Sequence, residues 1–311
     1  MLYESRNCRQ RSREWAAGEV ISHDARYFPG DLPDILRTRY DTIILGCYQT
    51  PLQIAANLLL RLRNIPFLIN LDGEAFLEGR SLKTLVKKFL LRNAAGYLTA
   101  GEESARSLKT VSGEKPVTVY YFSSLSEEEL RQAETDQNRG GTILVLGQYF
   151  PYKGLDVALE AARMDPEHRY CFAGMGQRTE KFLREHPLPS NVQVIPFLHR
   201  KELERSYRQC ALLVLPSRRE CWGLVVNEGA AYGIPIVSTW GSGAAVEFLG
   251  AQYSQYLATP GDAASLRSCI RRCLESGETE AYAAFLREKS GNYTIERSVR
   301  AHLAALEGRG E

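Results

Sequence analysis

Two carboxylates, Glu220 and Glu228, stand eight positions apart in the stretch PSRRECWGLVVNEGAAYGIPIVST that runs from Pro216 to Thr239. Gly223 lies between them, and Leu224 and Val225 after it read as the start of a helix. Glu220 then falls in a loop and Glu228 one turn into the helix, so both can face one crevice. Glu228 has Val225, Val226, Ala230 and Ala231 for neighbours. A carboxylate among apolar groups needs a partner, and a ribose diol, which donates two hydroxyl protons, would supply one. Glu220 can accept from sugar hydroxyls. Lys153 precedes Gly154 at another expected helix start, where a cation opposes the helix dipole unless an anion sits nearby. Glycine turns follow expected strands at Gly147 through Gly154, Gly174 through Gly176 and Gly241 through Gly243. Such turns let backbone amides approach an anion closely. Each feature also has a plainer reading: a turn, a surface lysine, a solvated helix face. Their convergence in one region favours a phosphate site. None of the turns matches GxxxxGK[ST] or GxGxxG, which sets aside a P-loop and weakens a nicotinamide or flavin reading.

The elements that must position these residues alternate. Apolar runs at 42–46, 65–71, 96–100 and 117–122 read as strands, separated by helical patterns at 51–63, 82–92 and 102–111. The polar segment 123–141, ending in paired glycines, reads as a helix at 127–134 and then a linker. The alternation restarts with strands at 142–147, 169–174, 192–197, 211–216 and 234–238, and helices at 155–163, after Gly176 to about His186, and at 202–210, 262–276, 278–288 and 294–306. This pattern predicts an α/β fold with mostly parallel sheets in two Rossmann-like, doubly wound domains facing across a cleft. The expected limits are 1–135 for a first domain, 136–291 for a second, and 292–311 for a terminal helix that packs back toward the first. The loop after 211–216 lies at the carboxyl end of a parallel strand, where open α/β sheets bind ligands.

Bulk properties narrow the field. A chain of 311 residues is long for one core, and 44% hydrophobic and 24% charged residues are ordinary for a globular protein. A net charge of +2 does not argue for nucleic acid. The seven cysteines, at 8, 47, 171, 210, 221, 269 and 273, form no CxxC pair, which suits a reducing compartment. Neither HExxH nor a His/Cys ligand spacing occurs, so no metal site is expected. The opening residues are polar and arginine-rich, and the best apolar stretch, 52–71, is broken by Arg61, Arg63, Asn64 and Pro66. The expectation is a cytoplasmic protein.

From Gly147 to about Phe248 the chain resembles the retaining family 4 glycosyltransferases of the GT-B fold. The E-x7-E pattern of that family matches Glu220 to Glu228, with CWGLVVN where a phenylalanine-glycine pair is common. GAAYGIPIVST resembles its small-residue helix and following strand, LGQYFPYKG its first-strand loop, and FAGMG its glycine turn. The first half resembles the acceptor side of bacterial capsule and exopolysaccharide members. The resemblance implies a metal-independent hexosyl transferase whose co-substrate is a nucleotide-diphosphate sugar, with no other cofactor. It implies that Glu228 holds the ribose and Glu220 the donor sugar. Lys153 and the amides of Gly223, Leu224 and Val225 would bind the diphosphate, with Gly147 and Gly174 lining the donor site. The implied acceptor is a saccharide, lipid-linked in polysaccharide biosynthesis.

The chain departs from the family in three ways. Gln148 stands where the family has arginine, and Arg218 or Arg219 is expected to replace that cation. Nothing in residues 1–30 matches the family's opening strand and glycine-rich loop, so the first domain is expected to be short or to start late. Asp72 stands where many relatives carry histidine; it reads either as a turn residue or as a group that orients the acceptor hydroxyl or the donor sugar. An apolar stripe beside Lys83, Lys87, Lys88 and Arg92 reads as a solvated face or as peripheral contact, through 80–92, with the anionic inner face of a plasma membrane. Two alternatives to a transferase remain open at this stage. One is a non-catalytic sugar-nucleotide-binding partner of a transferase complex, favoured by Gln148 and the short start. The other is a GT-B nucleotide-sugar epimerase.

Overall fold

The computed structural model describes residues 40–46, 50–72, 81–133, 140–195 and 197–307. The arginine-rich start, the expected shortening of the first domain and the linker at 134–139 lie outside the described residues.

In the first half, β1 (Ile44–Leu45), α1 (Pro51–Leu62), β2 (Leu68–Leu71), α2 (Leu82–Arg92), β3 (Gly96–Thr99), α3 (Glu102–Ser112) and β4 (Val117–Val119) alternate. The four strands are parallel and lie in chain order. Helix α1 starts where Thr50 and Gln53 form a reciprocal capping box and Pro51 presets the first turn. Asn57 of α1 is buried and donates to the Leu90 carbonyl at 3.1 Å, which ties α1 to α2. The strands are shorter than the apolar runs. Pro66 has no N–H for a ladder, so β2 begins after it. Tyr121 has φ +52°, which turns the chain out of the extended path that Tyr120 to Phe122 would need.

The second half contains α4 (Glu127–Gln132), β5 (Thr142–Leu146), α5 (Leu155–Arg163), β6 (Arg169–Ala173), α6 (Thr179–Glu185), β7 (Val192–Ile195), α7 (Arg200–Gln209) and β8 (Leu212–Val214). It continues with α8 (Leu224–Ala231), β9 (Ile236–Thr239), α9 (Gly243–Leu249), β10 (Leu257–Ala258), α10 (Ala263–Glu275), α11 (Thr279–Ser290) and α12 (Ile295–Leu306). Its six parallel strands run in the order β10-β9-β8-β5-β6-β7. The chain therefore starts in the middle at β5, builds outward to β7, then crosses back to β8 and builds the other way. The reversal opens a crevice at the carboxyl ends of β5 and β8, the position at which such sheets bind ligands. Helix α9 and strand β10 have no counterpart in the sequence reading. Seven residues buried on most sides show no helical stripe, and two residues show no alternation.

One apolar core joins the halves: Leu98, Ala100 and Tyr120 pack into the same cluster as the second sheet. Gly101 gives α3 no side-chain cap, and the Glu247 carboxylate of α9 accepts the Glu103 N–H at 2.8 Å instead. Glu247 also accepts from the Tyr293 hydroxyl at 2.7 Å. Helix α12 returns to the first half. The Ile295 N–H donates to the Leu125 carbonyl at 2.9 Å, and the His302 ring lies 4.6 Å from that of Tyr120.

Candidate active site

Three loops meet at the crevice, those after β5, β8 and β9. The Arg218 and Arg219 N–H groups both donate to the Tyr152 carbonyl, at 2.8 and 3.1 Å. The Glu220 N–H donates to the Gly241 carbonyl at 2.7 Å, and the Glu220 carbonyl accepts from Gly243 at 3.2 Å. Gly154 allows the first two loops to close: its φ is +68°, and a Cβ there would stand 2.0 Å from the Pro216 carbonyl oxygen. Any side chain at 154 would drive the loops apart.

This zipper brings Lys153 and Glu220 together. The Lys153 ammonium donates to Glu220 Oε2, with side chains only 24% and 15% exposed. Arg218, one of the two arginines expected at the phosphate, is engaged between the loops. Its guanidinium makes a two-pronged bond to Asp156 of α5, at 2.7 and 2.6 Å, and donates to the Pro151 carbonyl at 2.7 Å. Burial pushes the Asp156 carboxyl up, but the Arg218 bonds outweigh it and hold the group below its usual range. Arg218 thus fixes the relative position of the loops that carry Lys153 and Glu220.

Helix α8 begins beside this pair. Gly223, at φ +104°, turns the chain into the helix; no side chain caps it, and its first turn contains no acid. The first amides of a helix have no carbonyl partner within it, so Leu224 and Val225 present N–H groups and the positive end of the helix dipole at the crevice. Gly147 and Gly174 sit side by side past β5 and β6, where the Gly147 N–H donates to the Ala173 carbonyl at 3.2 Å. Gln148 follows, exposed. The Arg178 guanidinium lies 4.0 Å over the ring of Phe150 in the same loop, a cation that sequence reasoning missed.

One turn into α8, both oxygens of Glu228 are engaged. Oε1 accepts from the Ser124 hydroxyl at 2.9 Å and Oε2 from the Tyr207 hydroxyl at 2.6 Å. Burial raises the Glu228 pKa, while the two hydroxyls, favouring the charged form, oppose the rise. Tyr207 is itself buried and stacks on Tyr232 at 5.4 Å. Its neighbour Asn227 accepts from the Trp222 indole at 2.9 Å and donates to the Phe122 carbonyl at 3.0 Å. Consecutive residues of α8 therefore hold the segment that links the two halves.

The first half contributes Asp72 and Lys87. Asp72, just past β2, accepts from the Tyr120 hydroxyl at 2.8 Å. Its side chain keeps open surface, yet crowding around the carboxyl raises its pKa, against the lowering pull of Tyr120 and His302. Asp72, Glu220 and Lys153 all act electrostatically on the Cys221 thiol, which places the first-half aspartate opposite the β8 loop. Partial burial holds Lys87 of α2 below the usual lysine range, and the charges of Arg219 and Lys83 push the same way. Arg219 and Lys87 are therefore close enough to repel. Sequence reading missed the parts played by Asp156, Ser124 and Tyr207. Only Asp156 had a local signal, a carboxylate in the first turn after Lys153-Gly154.

Comparison with known proteins identifies the fold and the family. An uncharacterised glycosyltransferase of Methanocaldococcus jannaschii is 25% identical over 214 residues, covering 66% of this chain and 58% of that protein. An uncharacterised glycosyltransferase of Bacillus subtilis is 26% identical over 168 residues, covering 52% of this chain and 46% of its own length. The chain thus spans about half the length of these curated relatives. Among solved structures, Anabaena HepE in complex with UDP superposes with a TM-score of 0.66 at 16% identity, over 89% of this chain and 82% of that one. The fold is GT-B, with two parallel sheets. The family model described as glycosyl transferases group 1 matches residues 126–288, more than half of the chain. The chain belongs to the group 1 glycosyl transferases.

Proposed function

We propose that the protein transfers a hexosyl group from a nucleoside-diphosphate sugar to a hydroxyl acceptor, with retention of anomeric configuration. The observation that carries this reading is the meeting of Lys153, Glu220 and the uncapped start of α8 at the reversal point of the second sheet. In this reading, the α8 amides and Lys153 hold the diphosphate, Glu228 accepts from the ribose hydroxyls, and Glu220 accepts from the donor sugar. As the bond from the anomeric carbon to the diphosphate oxygen breaks, negative charge builds on that oxygen. A fixed ammonium and aligned amides stabilise it with no reorganisation at the moment of reaction. The acceptor oxygen bonds the anomeric carbon on the face the diphosphate leaves, and its proton passes to the departing phosphate oxygen. Asp72 orients the acceptor hydroxyl. The reading asks for no metal, because the chain supplies the positive charge itself. HepE was also solved in complex with UDP-glucose, which supports a nucleotide sugar as the donor class.

The finer reading of the acceptor rests on α2. Leu82, Leu85, Val86 and Phe89 are between 46% and 78% exposed, and Lys83, Lys88 and Arg92 lie on the same helix. Isolated exposed apolar side chains are ordinary, but four on one short cationic helix match the chemistry of an anionic bilayer surface. Among the described residues no helix is long and apolar enough to cross a membrane, so the contact would be peripheral. We read the acceptor as a lipid-linked saccharide at the cytoplasmic face of a membrane, in polysaccharide assembly.

The test is turnover of nucleotide sugars by the purified chain. Hydrolysis or transfer that Glu220→Ala abolishes is the expected result. Binding of nucleotide sugar with no turnover on any acceptor would replace this reading with that of a non-catalytic binding partner, which Gln148 in place of the family's arginine favours.

A further inference from the structure

The two hydroxyls on Glu228 come from different places. Tyr207 belongs to α7 of the second half, buried and stacked, and cannot leave its position without disturbing the core. Ser124 belongs to the segment that joins the halves, between β4 and α4, and its side chain is only partly buried. Glu228 has two oxygens, and each accepts one of these hydroxyls at hydrogen-bond distance. A ribose diol needs carboxylate oxygen sites facing the crevice. The side chain able to yield one is Ser124.

We infer that Ser124 is a positioning residue of the nucleotide site: its hydroxyl keeps the Glu228 carboxylate paired until nucleotide binds, then yields Oε1 to a ribose hydroxyl. The inference rests on the assignment of Glu228 to the ribose. A buried carboxylate left with one partner fewer is costly, and so Ser124 stabilises the protein before nucleotide arrives. In this inference the ribose hydroxyl takes the lone pair of Oε1 that Ser124 occupies, and Ser124 therefore competes with the ligand. Its yielding also loosens one of the two ties between α8 and the linking segment; the other, from Asn227 to the Phe122 carbonyl, remains. Donor occupancy is thereby communicated to the segment between the sheets.

A merely structural serine and a competing serine give opposite signs. UDP is the probe, titrated calorimetrically into the full chain, with GDP and ADP as further nucleotides. Ser124→Ala is expected to bind the nucleotide about tenfold more tightly than the unaltered chain, while melting at a lower temperature without ligand. Ser124→Thr, which keeps the hydroxyl, should restore the original affinity. Inorganic pyrophosphate carries no diol and should bind both proteins equally. Unchanged or weaker nucleotide affinity in Ser124→Ala overturns the inference alone. So does an equal gain for pyrophosphate, since the effect would then not pass through the ribose. Should no nucleoside diphosphate bind the unaltered chain, both the inference and the assignment of the site fall.

Discussion

In the second sheet, three loops from β5, β8 and β9 are tied to one another by backbone hydrogen bonds and by the Arg218–Asp156 pair. In the first half, one strand end presents Asp72, and one helix, α2, leaves four apolar side chains exposed beside a half-exposed Lys87. The second region holds its charged groups within rigid turns before any ligand arrives. Such preorganisation is what stabilises charge in a transition state. Among the described residues the first region presents fewer such groups, which suits the acceptor wall proposed above. A nucleotide diphosphate has one shape, whereas the acceptors of a transferase family do not.

The sharpest way to break this contrast is to loosen the second region without touching a charge at the crevice. Arg218→Ala should lower donor affinity about tenfold through misplacement of Lys153 and Glu220. Stability should fall by only about 1 kcal/mol, because the pair is more than a third exposed on the arginine side. Arg218→Lys keeps the charge and loses the two-pronged geometry, so it should resemble the alanine variant. Full affinity in Arg218→Lys would show that charge alone suffices there.

The first region is probed by Asp72→Asn. If Asp72 orients the acceptor, turnover should drop by about tenfold or more, with donor affinity unchanged. Removing a carboxyl whose pKa is raised by crowding should cost the fold little. Unchanged turnover would leave Asp72 as a turn residue held by Tyr120. The smallest expected effect is at α2. Leu85→Ser with Phe89→Ser should leave turnover of a soluble acceptor intact and weaken sedimentation with vesicles rich in anionic lipid. Binding to neutral vesicles that equals binding to anionic ones would sink the membrane reading.

How much of this was legible in the sequence follows the same contrast. The β5-to-β9 segment announces itself, because glycines at fixed offsets, buried strands and carboxylates within eight positions are all local signals. Lys153 and Glu220 were singled out from such signals. Their contact was not visible, because it depends on the approach of Gly154 to Pro216 across 62 positions. The pairing of Arg218 was not visible either: its partner Asp156 lies in another βα unit, and sequence spacing says nothing about which loops adjoin. Nothing local in the sequence ties Ser124 or Tyr207 to Glu228; only the packing of α7 and the linking segment on α8 brings them to it. Helix α9 escaped notice because burial on nearly every face erases the periodicity by which a helix is read.

The claim at the centre of this account is that Lys153 and the start of α8 form a binding site for a nucleoside diphosphate. Calorimetric titration with UDP, GDP and ADP, on the unaltered chain and on Lys153→Ala, tests it most directly. The account predicts saturable binding of at least one of the three, weakened by about tenfold or more when the ammonium is removed. Equal affinity in the two proteins, or no binding by the unaltered chain, would contradict it.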